Sequence, residues 1–430
     1  MDNKILAFYL EHDIITLDSL ANLSKEEIMS SIMNKVHKYK ITVHTDGRYQ
    51  TYVPDPTKPG GRRQIRKKTI EDMNEFLLEY YTLEIKAGDK TFENLYMEWK
   101  DYKKQFVMVK NVHKGISPST IRRYERDYDN HLRDTKLSRL SITDATPIVL
   151  ETILGELIDE QNMSESCASN IIGYVRQAFA YGRRAGYLRD NPCEYVDRRM
   201  VLSKCKTVQK PNDCDRVLTI MELNALKESV ARHEESYPDY MPDYAIELAT
   251  MTGMRVGEIA ALRWSSIDDG YIHIDESEHR YDYADRPSEL VIGEPKNGKH
   301  RLIPLTEDMK ELFERIESLD IRNPEDFIFA RRDDLTRYTG HDIGCAIDRR
   351  ASEAGIKKTS IHGIRRTVSS ILRTKLPAKT VANMLGHLEV TNERHYNYDF
   401  FEDSAKISAL SELSSTVLKK FPEIKIAEAR

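Results

Sequence analysis

The stretch MTGMRVGEIAALRW, residues 251–264, decides the reading of this chain. Gly253 ends an apolar helical run that begins near Asp243 and carries Ile246, Leu248 and Ala249. Arg255 opens the next helix, with Glu258 one turn later on the same face. Taken alone, such a pair is a structural ion pair, because an arginine drawn into a core needs a carboxylate beside it. Working outward changes the weight of the pair. Lys296 stands in EPKNGKHRLIPL (294–305), His362 and Arg365 in IHGIRRT (361–367), His387 in MLGH (384–387) and Tyr396 in ERHYNYD (393–399). Two arginines, two histidines, a lysine and a tyrosine are the groups needed to hold a phosphodiester while a phenol attacks it. Planar guanidinium forks neutralise the non-bridging oxygens. The nucleophile must lose a proton and the leaving oxygen must gain one.

In order and local wording, these motifs resemble the tyrosine recombinases, the family of phage and transposon integrases. The resemblance covers roughly Asp215 to Asp403: R-x-G-E after a small-residue helix start, a lysine on a hairpin before an IPL strand, H-x-x-R, L-G-H, and a tyrosine nine positions beyond that histidine. It implies that Arg255 is the first catalytic arginine and Glu258 the acid that orients it. It implies that Arg365 and His387 bind the phosphate, that His362 assists proton transfer, that Lys296 protonates the leaving 5′ oxygen, and that Tyr396 is the nucleophile. Local alternatives remain. Lys299 competes with Lys296, and the P-K-N-G phrase around a tight Asn297-Gly298 turn favours Lys296. Tyr398 competes with Tyr396, and family spacing selects Tyr396. Arg366 is one position off the face shared by His362 and Arg365, and family members often carry a histidine there.

At 430 residues the chain is long for one domain and suggests about three. With 40% hydrophobic and 31% charged residues and no apolar run of membrane-spanning length, it reads as a water-soluble protein; the resemblance implies the bacterial cytoplasm. The start, MDNKILAFYLEHD, breaks too early for a signal peptide. Five scattered cysteines show no CxxC pair and fit free thiols in a reducing compartment, with no zinc site. No P-loop or carboxylate metal cluster is present, so no cofactor is expected. The net charge of −5 conceals a segregated pattern. Between Lys38 and Lys68 nine basic residues, among them Arg48, Arg62, Arg63, Arg66, Lys67 and Lys68, meet only Asp46 and Asp55. Such a stripe is either the footprint of phosphate contacts or a solvated face.

The expected architecture is multidomain α+β, mainly α. Residues 1–36 form a helical appendage with a capping box at Ser24 and Glu27. Residues 37–86 form a three-stranded sheet plus helix: YKITVHT and RYQTYV flank Asp46-Gly47, RRQIRKK follows, and a helix from Thr69 to about Leu83 carries Ile70, Met73, Phe76, Leu77 and Tyr80 on one stripe. This resembles the arm-type DNA-binding domain of integrases. Residues 90–198 are helical, with Ser117-Pro118, Thr146-Pro147 and Ser164 as helix starts. They resemble the family's core-binding domain, with Lys110, Lys114, Arg122, Arg123, Arg176 and Arg183 as phosphate contacts. Aromatic residues at helical spacing in this span are expected in the core rather than stacked on bases. Residues 199–215 form a linker. Residues 216–412 form the catalytic domain with a small sheet (YIHID, SELVIGEPK, HRLIPL). The tail, 413–430, closes an amphipathic stretch through Ile407, Leu410, Leu413 and Val417 that docks on a neighbouring subunit or folds back on its own.

The resemblance therefore implies a site-specific recombinase of the integrase type that integrates or excises a mobile element through a 3′-phosphotyrosine intermediate. Its partners would be double-stranded DNA attachment sites of core and arm type, a homotetramer on DNA, and an excisionase or host DNA-bending protein. A topoisomerase-like nicking-closing enzyme and an inactive DNA-binding regulator are the alternatives.

Overall fold

The computed structural model describes residues 33, 35–55, 60–110, 112–207, 215–386, 407, 408 and 411. The expected appendage before residue 33, most of the linker, His387, Tyr396, Tyr398 and nearly all of the tail lie outside the described residues. The described residues fall into two compact units. One holds those through Phe106 and from Thr120 to Thr207; the other holds Val107–Ser119 and everything from Asp215 on.

In the first unit, β1 (Thr42–Val43), β2 (Tyr49–Pro54) and β3 (Arg62–Lys67) form an antiparallel sheet in that order. The turn between β1 and β2 needs Gly47 at φ +80°. Helix α1 (Ile70–Ala87) covers one face of the sheet, and Val53, Met73 and Leu77 are fully buried between them. The helical remainder comprises α2 (Phe92–Lys104), α3 (Pro118–His131), the short α4 (Lys136–Arg139), α5 (Pro147–Glu160), α6 (Glu165–Arg184) and the short α7 (Arg198–Leu202). Thr146 and Ser164 cap α5 and α6 through their hydroxyls. The aromatic residues are core. Tyr96 and Tyr128 have ring centroids 4.8 Å apart, and Trp99 and Tyr124 4.9 Å. Their hydroxyls are spent internally: Tyr96 donates to the Tyr124 carbonyl at 2.9 Å, and Tyr174 to Asp127 at 2.9 Å.

The second unit is built around α9 (Met241–Thr252), whose Met241, Ala245, Ile246, Leu248 and Ala249 are fully buried. Packed about it are α8 (Ile220–Ser236), which opens with a Thr219–Glu222 capping box, and α10 (Val256–Ala260). The strands follow: β4 (Ile267–Asp268), β5 (Tyr271–Ile274), β6 (Ser277–Tyr281), β7 (Glu289–Gly293) and β8 (Arg301–Pro304). Strands β4, β5 and β8 form one antiparallel sheet, while β6 and β7 form a separate hairpin. Sequence patterning does not anticipate β6, because SEHRY buries only its end residues, Ser277 and Tyr281; pairing with β7 supplies the rest. Helices α11 (Glu307–Ser318), α12 (Gly340–Glu353), α13 (Ile361–Arg373) and α14 (Ala378–Leu385) complete the unit. Among the described residues no helix is long and apolar enough to cross a membrane.

Candidate active site

The site forms where α9, α13 and α14 end or begin beside β8. Gly253, at φ +63°, closes α9 and turns the chain so that Arg255 becomes the N-cap of α10. Glu258 accepts from the Arg255 backbone N–H at 2.8 Å and from its Nη1 at 2.7 Å. The same carboxylate, with 1% of its side chain exposed, also accepts from Arg301 Nη1 at 2.9 Å and Nη2 at 2.6 Å. Burial alone would raise its pKa. The hydrogen bonds and charge of Arg301, then the charges of Arg255 and Arg365, reverse that and hold it at about 2. Glu258 is therefore ionised throughout the neutral range.

Helix α14 contributes the other half. It ends at Gly386 (φ +68°), where a β-carbon would also sit 3.1 Å from Arg301 Nη1. Its last carbonyls have no partner within the helix and sit at the negative end of the helix dipole. Three guanidinium groups fill that role. Arg301 Nε donates to Met384 O at 2.8 Å, Arg365 Nη2 donates to Leu385 O, and Arg255 Nη2 donates to Gly386 O at 3.1 Å. Arg365 Nη1 donates to Gly253 O at 2.7 Å, tying the end of α9 to the end of α14. Arg365 is fully buried, whereas 28% of the Arg255 side chain is open. Arg255 is thus the partly exposed member of the cluster and Arg365 the buried one.

His362 and Arg365 lie one turn apart on α13, which Ser360 caps by accepting from Gly363 N–H. More than a third of the His362 residue is open to solvent. Burial of the remainder, and then the charges of Arg366, Arg365 and Arg255, push its pKa down to about 4, so the ring is neutral at pH 7. Lys296 sits exposed in a turn from Pro295 to Gly298, closed by Gly298 N–H donating to Pro295 O at 2.7 Å. Asn297, its neighbour, donates from Nδ2 to Gly386 O at 2.8 Å. Lys296 is thereby moored to the helix end that also receives Arg255. Arg255, Arg301, Arg365 and Asn297 thus meet at the end of α14, with Lys296 on the adjoining turn and His362 one helical turn from Arg365.

Residues 216–402 match the phage integrase family. The chain is 23% identical over 300 residues to tyrosine recombinase XerD of Listeria monocytogenes, covering 67% of this chain and 90% of that one. It is 23% identical over 361 residues to a XerC-like tyrosine recombinase of Caldanaerobacter subterraneus, covering 77% and 86%. The domain at residues 216–402 belongs to the phage integrase family, and the relatives that match are tyrosine recombinases. Its fold is shared with the Tn1549 transposon integrase solved in complex with a circular intermediate DNA, at a TM-score of 0.56 and 18% identity, over 75% of this chain and 99% of that one. The lambda integrase tetramer bound to a Holliday junction matches at a TM-score of 0.50 and 18% identity, over 81% and 91%. The chain is accordingly a tyrosine-type site-specific DNA recombinase.

Two residues of this recombinase site escape motif reading. Arg301 completes the Glu258 cluster, and Asn297 moors the lysine turn. Strand parity could have exposed Arg301, since β8 buries Arg301 and Ile303 on one face. The candidate phosphate-contact residues are spread over several elements. Arg48, Arg62, Arg63, Arg66 and Lys68 are exposed on or beside the N-terminal sheet, and Lys67 lies 4.9 Å from the Phe76 ring. Arg122 and Arg123 lie on α3, Arg176 and Arg183 on α6, and Lys110 and Lys114 in the Val107–Ser119 segment of the catalytic unit.

Proposed function

We propose that this recombinase integrates or excises a mobile element by cutting and rejoining DNA through a 3′-phosphotyrosine bond on Tyr396. The observation that carries the reading is the convergence of three arginines and the Lys296 turn on the carbonyls immediately before His387. A scissile phosphate there would meet the partly exposed Arg255, with the buried Arg365 adding a charge that solvent does not screen. His362, neutral at pH 7, is in the right protonation state to accept the tyrosine proton. Tyr396 attacks phosphorus, the P–O5′ bond breaks, and Lys296 gives its proton to the 5′ oxygen. The phosphotyrosine keeps the diester's bond energy for the reverse attack by another 5′-hydroxyl, so the balance needs no nucleotide hydrolysis. His387 would bind the same phosphate.

The mobile-element reading draws support from the N-terminal module. The outward face of its sheet carries Arg62, Gln64 and Arg66 on β3 opposite Pro54, Tyr52 and Gln50 on β2, and Arg62 stacks 4.7 Å from the Tyr52 ring. A basic face of this kind suits a second class of DNA site. The DNA-bound Tn1549 integrase and the tetrameric lambda integrase on a Holliday junction make a DNA duplex and a homotetramer the expected partners, and a DNA-bending or excision factor fits the same scheme.

The test is a nicked core-site duplex that traps the covalent complex. Wild type accumulates adduct. Tyr396→Phe binds the same duplex and forms none. An adduct that survives in Tyr396→Phe and disappears in Tyr398→Phe would move the nucleophile.

A further inference from the structure

The segment Val107–Ser119 lies in sequence between α2 and the body of α3, yet it packs with the catalytic unit. It forms a strap on the β6–β7 hairpin. Met108 N–H donates to Ile116 O at 2.9 Å, which closes the strap on itself. Buried Tyr281 donates its hydroxyl to Val109 O at 2.6 Å. The Ser119 hydroxyl donates to Arg280 O at 3.2 Å and accepts from Asp282 N–H at 3.0 Å. The Lys110 backbone lies so close to Gly293 that a β-carbon there would be 2.6 Å from Lys110 O.

The far end of the strap reaches the lysine turn. His113 Nδ1 is 3.2 Å from Glu294 Oε2, and the Glu294 carbonyl is bonded to His279 Nε2 at 2.8 Å. The His113 imidazole lies flat against Gly298: a β-carbon there would come within 2.7 Å of Cδ2, 2.8 Å of Cγ and 3.0 Å of Nε2. Gly298 also holds φ +63°, so glycine is required twice over, for the turn and for the ring that covers it. The turn carrying Lys296 is thus gripped from two sides, by Asn297 on Gly386 and by His113 on Gly298.

We infer that His113 is a positioning residue for Lys296, a strap contact that fixes the lysine turn for protonation of the leaving oxygen. The inference rests on the reading of Lys296 as general acid. A four-residue turn joining a two-stranded hairpin to a separate sheet has few constraints of its own. An acid that must reach one oxygen within hydrogen-bonding distance gains most from such a clamp, because displacement by about 1 Å can cost on the order of a hundredfold in rate. His113 itself touches no reacting atom.

The test is single-turnover cleavage of the nicked duplex with either oxygen or sulfur at the 5′ bridging position; a sulfur leaving group needs little protonation. His113→Ala should slow the oxygen substrate by about ten- to a hundredfold, leave the sulfur substrate within about twofold, and leave DNA affinity unchanged. His113→Gln, which keeps bulk and a donor for Glu294, should recover most of the loss. Glu294→Ala, which removes the carboxylate beside His113 Nδ1, should give a smaller oxygen-selective defect and serves where the His113→Ala variant folds poorly. Combined with Lys296→Ala, His113→Ala should add nothing on the oxygen substrate. If Lys296→Ala is not rescued by sulfur, the general-acid reading itself fails. If Lys296→Ala is rescued while His113→Ala slows both substrates equally, or slows neither, the positioning role is overturned.

Discussion

Replacing Glu258 with glutamine tests how the site is held together. The carboxylate takes four hydrogen bonds from two arginines and sits within the field of a third. Glutamine keeps the shape but cancels the charge and offers one acceptor oxygen, leaving the Arg255 and Arg301 charges uncompensated in a buried place. The pKa displacement from 4.5 to about 2 corresponds to roughly 3 kcal/mol at about 1.4 kcal/mol per unit, within the range for breaking a buried ion pair. The sign follows from linkage. A carboxyl whose folded pKa is depressed stabilises the fold fully above about pH 4.5, and that contribution is lost as pH falls toward 2. Amide hydrogen exchange reads the loss locally. In Glu258→Gln at pH 7, protected amides of α13 and α14 should exchange about a hundredfold faster, while α2 and α6 in the other unit keep their wild-type rates. Wild type should lose this protection between about pH 4.5 and 2 and the variant should not, after correction for intrinsic rates. Unchanged protection in α13 and α14, or an equal rise in α2 and α6, would refute the claim that this carboxylate organises the site.

Arg301→Lys should weaken the same helices by about 1–3 kcal/mol, since an ammonium cannot serve both Glu258 oxygens and Met384 O; it should reduce cleavage while DNA affinity in gel shifts stays within about twofold of wild type. The free enzyme's kcat/KM should hold its His362-dependent acid limb near pH 4 rather than 6.5, because the ring is already neutral above that range; a limb near 6.5 that vanishes in His362→Asn would contradict the assignment. Deleting residues 1–86 should spare cleavage of a core site and abolish binding to a distant arm-type site, with each lost phosphate contact lowering the salt slope of arm binding by about 0.9; unchanged binding to a complete attachment region would remove the arm-site role.

The local parts of the fold were legible because their causes are local. Thr146-Pro147 before α5 and Ser164 before α6 are caps written in three or four consecutive residues. His362 and Arg365 share a face because they are three apart on a helix. The Arg255–Glu258 pair was equally visible, but its second arginine was not: Arg301 lies 43 residues further on, and parity with Ile303 shows only that it is buried, not what it meets. Asn297 reaches Gly386 across 89 residues, and His113 reaches the lysine turn from a different part of the chain altogether. Such closures depend on how α14 and the hairpin come to rest, which no window of sequence contains. Strand β6 stayed hidden for a related reason, since its polar middle is tolerated only through its pairing with β7.

Where the catalytic half begins is a question with two answers, and the strap is the reason. A fragment starting at Asp215 would carry the hairpin with the Tyr281 hydroxyl deprived of the Val109 carbonyl and the Gly298 face uncovered. A fragment ending before the linker would carry thirteen residues, Val107–Ser119, with no hairpin to lie on. Chimaeras between relatives would meet the same problem: an N-terminal half brings its own strap to a foreign hairpin. The sequence between 107 and 119 then decides whether the joined protein works, even when both halves are intact. Exchange of DNA specificity by recombining halves should therefore succeed most often when this short segment travels with the catalytic unit rather than with the helices on either side of it.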